Sequence, residues 1–235
     1  MLIARMPYCF SAEQLSLVHA FNIKQNEIAE DFVKHIDDHV ETYTKEIFQQ
    51  QSADDQGEVF EVEVKHIAGI SEDEYDFKEI FISLMPMYQH QSMLISNWSM
   101  FECELKQFYS SLAKEIGRSP DLPAKQRGDG SDFCHVINCF RKIGLLSEPT
   151  EDFVAAYNFL NDQVRHIRND WVHNGGVPTR TKDPESLDGI TLNGNQINIS
   201  MEFLEMAMQS IWKVTTELSV SSRQVLAAKS RQEGE

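Results

Sequence analysis

Apolar positions in this chain recur mainly at helical spacing. Between Ser11 and Gln51, Leu15, Val18, Phe21, Ile28, Phe32, Ile36, Val40, Tyr43 and Ile47 follow one another mostly at three or four residues, with no Gly or Pro among them. The pattern predicts one long amphipathic helix over 11–51. A capping box of Ser11 and Gln14 opens it, and His35, His39 and its carboxylates form the wet face. SADDQG (52–57) is a polar break. In EVFEVEVKHI (58–67), Val59, Phe60, Val62 and Val64 stand among Glu and Lys, which suits a short strand or a helical continuation. The acidic run SEDEYDF (71–77) starts a helix that should end at Gly117, kinked or divided at Pro86, with its Met and aromatic residues in the core.

Further along, RSPDLPAKQRGDGSD (118–132) reads as a loop and FCHVINCFRKIGLL as a short helix. Tyr157, Leu160, Val164, Ile167 and Trp171 step by 3, 4, 3 and 4 residues, one apolar stripe that must face a core. ITLNGNQINIS (190–200) predicts a hairpin turning at Asn193-Gly194 or Gly194-Asn195, and residues 201–230 a final helix. These elements predict an all-α protein: an antiparallel helical bundle over 58–230 with a small β-hairpin insertion. The long helix within 1–57 packs on it as an extension.

Composition narrows the functions open to this bundle. The chain has 235 residues and a formal net charge of −16. An overall acidic field does not attract nucleic acid, so any such activity needs a local basic patch. The 118–132 loop, with Arg118, Lys125 and Arg127, is the most basic one. Cys9, Cys103, Cys134 and Cys139 form no C-x-x-C pair, and Cys134 and Cys139 read as buried free thiols on a helix. No signal peptide or long apolar run is evident, so a cytoplasmic protein with no membrane partner is expected.

The chemistry concentrates in RHIRNDWVHNGG (165–176). On a helix, Asp162, His166, Asn169 and His173 lie roughly opposite the apolar stripe, and Arg168 lies near its edge. The helix ends before Gly175-Gly176, where the partial negative charge of a C-terminus favours a cation. A solvated polar face explains these residues without a function. A second reading is a metal site, since His166, Asp170 and His173 stand at i, i+4 and i+7.

A third reading is a resemblance. RNDWVH resembles the R-x4–6-H motif of the HEPN superfamily, in which a polar residue often follows the Arg. Arg168 then takes the place of the motif Arg, Asn169 of the polar residue and His173 of the motif His. NWSMFECELKQFYSSL resembles the helix that carries a glutamate near the motif, with Glu102 and Glu104 both eligible. The resemblance covers roughly residues 75–225.

It implies a HEPN-like fold and a metal-independent endoribonuclease of the toxin or antiphage kind. The ribose 2′-hydroxyl attacks the adjacent phosphate, His173 carries the proton, Arg168 stabilises the phosphorane charge and Asn169 orients the imidazole. Arg165, His166, Lys125 and Arg127 are supporting or RNA-binding candidates. No metal and no cofactor are called for. Arg168 and His173 are about 140° apart on one helix. A homodimer through the motif helix is therefore expected, with RNA as substrate and an antitoxin or other regulatory protein as partner. A non-catalytic HEPN module that binds RNA or a protein is the alternative.

Overall fold

A computed structural model of the chain describes residues 12–49, 58–128 and 130–232. Helices dominate, but two small antiparallel sheets are present, so the all-α expectation is corrected to a mixed, mainly helical fold. The chain divides into two compact units, residues 23–89 and residues 12–22 with 90–232. Ser11 of the expected capping box, Cys9 and the break at 52–57 lie outside the described residues.

In the 23–89 unit, the long helix expected to reach Gln51 stops much earlier. Helix α1 covers Glu13–Lys34, a 3-10 turn covers Ile36–His39, and the chain then becomes strand β1 (Glu41–Gln49). The physical reason is in ETYTKEIFQ, where five of nine residues, Thr42, Tyr43, Thr44, Ile47 and Phe48, are β-branched or aromatic. Tyr43 and Ile47 satisfy a helical spacing from Val40, and they satisfy strand alternation equally well. β1 pairs with β2 (Glu58–Ile67) from Glu41 opposite His66 to Gln49 opposite Glu58. The two-residue β3 (Ile70–Ser71) adds to β2. The expected domain boundary at 57/58 falls inside this hairpin. Ile36, Ile67 and Phe77 are buried together, with Phe32, Val40, Ile70 and Phe81 against them.

The second helical segment begins with α2 (Phe77–Glu79), capped by the Asp76 side chain, and continues through a π-helical turn at Ile80–Leu84 into α3 (Met85–Glu115). Pro86 offers no N–H to the carbonyl of Ile82, and the wide turn sits just upstream of it.

The larger unit holds the remainder of α3 with α4 (Asp132–Lys142), α5 (Glu151–Phe159), α6 (Arg165–Asn174) and α7 (Met201–Gln232). Trp98, Phe101 and Phe133 meet at ring separations of 5.5–5.9 Å, and Phe140 packs on Phe108 and Tyr109. The N-termini of α4 and α5 are capped by Ser131 and Thr150. α5 packs against α7. α5 and α6 form one continuous helix joined by a π turn at Leu160–Val164. Its stripe is where the spacing put it: Leu160, Val164, Ile167 and Trp171 are buried, and Tyr157 is half-buried. The hairpin of β4 (Ile190–Asn193) and β5 (Gln196–Ile199) turns at Gly194-Asn195, with Gly194 at φ 61°, where a side chain would be strained.

Candidate active site on helix α6

α6 is a regular α-helix closed by Gly175 in the left-handed conformation. It therefore keeps the angular separation of Arg168 and His173 expected for five residues. Arg168 is mostly covered. One terminal nitrogen donates to Asn169 Oδ1 at 2.9 Å, and the other stands 3.8 Å from Glu102 Oε2 on α3. Its Nε is buried with no hydrogen-bond partner among the described residues. The choice between the two glutamates is thereby resolved geometrically. Glu102 faces Arg168. Glu104 instead accepts the backbone N–H of Leu15 at 3.2 Å, and burial pushes its carboxyl up despite that bond and one from Gln14.

His173 is exposed in the last turn of α6, next to the glycine cap. Asn169 is buried and turned to Arg168, so its side-chain oxygen holds the guanidinium and is not directed at His173.

Asp170 has a role that the sequence reading missed. Its carboxylate is fully buried and receives the following loop. Oδ1 accepts from Thr179 N, Thr179 Oγ1, Arg180 N and Asn174 Nδ2. Oδ2 accepts from Thr181 N at 2.9 Å, Thr181 Oγ1 at 2.8 Å and Arg180 N at 3.2 Å. Burial alone would push this carboxyl up; the bonds from Thr181 and Thr179 outweigh it and hold it below the usual carboxylate range. Thr179 and Thr181, two residues apart in PTRTK, were the only sequence signal for this strap. Gly176 closes it against α6: a Cβ there would lie 2.8 Å from the Trp171 ring.

Burying Asp170 changes the local electrostatics. Within residues 163–182 it is the only acidic residue, against Arg165, Arg168, Arg180 and Lys182. The exposed charges between Asp162 and Asp183, which are themselves exposed at the two ends of this segment, are thus basic in a chain of net charge −16. This is the kind of local patch that phosphate binding requires.

The supporting candidates separate. His166 Nδ1 donates to the Arg180 carbonyl at 3.1 Å, and its Nε2 accepts from Arg165 at 2.8 Å. Arg165 also binds Asn161 through its Nε. Both nitrogens of His166 and both oxygens of Asp170 thus have protein partners, which removes the His166/Asp170/His173 grouping as a ready metal site. Lys125 pairs with Asp132 at 2.8 Å. Asp132 and Glu102 line one crease. Arg127 is exposed in a turn. Of the two α4 thiols, Cys139 is buried and Cys134 only partly, between Tyr157 and Asn161. Burial, and then the bond to Cys134, push the Tyr157 hydroxyl up to about 12.

Among the described residues, no helix is long and apolar enough to cross a membrane. Set against known protein families, curated proteins and solved structures, the chain matches none.

Proposed function

We propose that the chain is a HEPN-type, metal-independent endoribonuclease whose cleft is built from two copies of α6. The observation that carries this reading is the pairing of Arg168 with Glu102 and Asn169 beside an exposed His173, on a segment whose single acid is buried. Glu102 and Asn169 hold a planar guanidinium with several donors in a fixed fork. His173 stands in solvent, where its imidazole can take or give a proton.

In the reaction, the 2′-hydroxyl oxygen attacks the adjacent phosphorus and the bond to the 5′-oxygen breaks. The products are a 2′,3′-cyclic phosphate and a 5′-hydroxyl. His173 of one copy accepts the 2′ proton, water protonates the leaving 5′-oxygen, and Arg168 of the other copy meets the phosphorane charge. Because Arg168 and His173 point about 140° apart on one helix, the second copy supplies what the first cannot converge. The test is cleavage of a mixed-sequence RNA in EDTA. Wild type should cut, leaving cyclic-phosphate ends. Arg168→Ala and His173→Ala should fail while melting like wild type, and a 2′-deoxy substitution at the cut site should block the reaction. Activity that needs an added divalent ion, or a deoxy substrate cut as fast, contradicts the mechanism.

A further inference from the structure

The 23–89 unit carries a surface that the nuclease reading does not use. Directly opposed residues on an antiparallel ribbon share a face, so Tyr43, Lys45 and Ile47 of β1 lie on one side with Val64, Val62 and Phe60 of β2. Val64 is buried at the base of that face. Beyond it Tyr43, Ile47, Phe60 and Val62 stay 40–45% exposed, an apolar strip interrupted on β1 by Lys45, which pairs with Asp73. The other face carries Thr42, Thr44, Glu46, Glu61, Glu63 and Lys65, with the apolar Phe48/Val59 pair near the end of the ribbon. Glu46 stands directly opposite Glu61, a destabilising like-charge pair. Among the described residues, neither of them nor Glu63 has a cationic partner.

The edge is open as well. The sheet order is β1-β2-β3, so the nine-residue β1 has no strand neighbour on its outer side among the described residues. An open edge with one apolar face is a template for an incoming strand. Charge selects what can come in. Residues 23–89 hold 17 Asp and Glu against 5 Lys and no Arg, which is 12 of the 16 net negative charges of the chain. A second copy of this unit is repelled, and its own Glu46 would add to the carboxylates already opposed. A strand that alternates apolar and basic residues meets both faces at once.

We propose that β1 is a docking edge for an extended segment of a partner protein, one that alternates apolar and Lys/Arg residues. Its apolar positions extend the Tyr43/Ile47/Phe60/Val62 strip, and its cations lie beside Glu46, with Glu61 and Glu63 one strand further in. This surface is independent of the α6 chemistry and stands or falls without it.

The test uses the full chain and three nine-residue fluorescent peptides alternating Val with Lys, Ser with Lys, and Val with Glu. The Val/Lys peptide should bind at least tenfold tighter than the other two, and amide exchange should slow in β1. N-methylating its pairing-edge amides should abolish binding. Ile47→Ser with Phe60→Ser should remove the preference for Val over Ser, and Glu46→Lys should weaken Val/Lys binding about tenfold. A melting temperature held near the wild-type value shows that these exposed-site variants are folded. Equal binding of Val/Lys and Ser/Lys, binding that survives N-methylation, or no protection in β1 overturns the proposal.

Discussion

Asp170 shows how one side chain on α6 does two jobs at a distance from any chemistry. It ties residues 179–181 to the helix, and it removes from the surface the only negative charge of that segment. A helical projection places Asp170 among polar neighbours and gives no hint of partners nine to eleven residues on. Asp170→Asn keeps the shape but turns an amide NH2 toward backbone donors. It should cost about 3 kcal/mol or more in urea unfolding, because several buried donors lose their acceptor. The pH sign follows from the depressed carboxyl. Its contribution is present above the ordinary aspartate value near 3.9 and is lost as pH falls through the lower folded value. The stability gap between wild type and Asp170→Asn should therefore narrow below about pH 4. A gap that stays constant to pH 2 would mean the carboxylate is not the anchor. At the neighbouring position, Arg168→Lys should lose most of the RNA cleavage in the same EDTA assay, since a point charge cannot span Asn169 and Glu102 while facing a phosphate.

At the scale of elements, legibility depended on length. The stripe Leu160, Val164, Ile167 and Trp171 was readable because the run is long enough to exclude strand alternation, and the π turn at 160–164 leaves that stripe buried. The hairpin at 190–199 was readable from Gly194 beside two asparagines. β1 was not, because Tyr43 and Ile47, four apart, satisfy both periods; 58–67 stays open between strand and helix because its pairing partner reads as helix. Glu102 could not be separated from Glu104 by spacing, since only the packing of α1 decides which one turns inward. The Trp171–Gly176 contact was legible only as a helix stop. Trp171→Ala should cost about 3–5 kcal/mol as a buried aromatic. Gly176→Ala should cost about 1–3 kcal/mol, since its Cβ meets the ring at 2.8 Å on a φ of 85°. Wild-type melting temperatures in both variants would show that the strap does not rest on this ring.

For the whole molecule, the uneven distribution of charge matters more than its sum. With 12 of 16 net negative charges in residues 23–89, the remainder of the chain is close to neutral, and Arg165, Arg168, Arg180 and Lys182 lie in and just after α6. RNA capture should weaken as salt rises, with a shallow slope set by the few phosphate contacts that carry it. The central claim is that Arg168 of one copy works with His173 of another. The most direct measurement mixes Arg168→Ala with His173→Ala, each inactive alone, after subunit exchange, and follows RNA cleavage in EDTA. A composite cleft restores about one quarter of wild-type activity, because half of the dimers are mixed and each mixed dimer holds one intact site of two. Mixtures as inactive as their components, from a protein that light scattering shows to be monomeric while the wild type cuts, would contradict it.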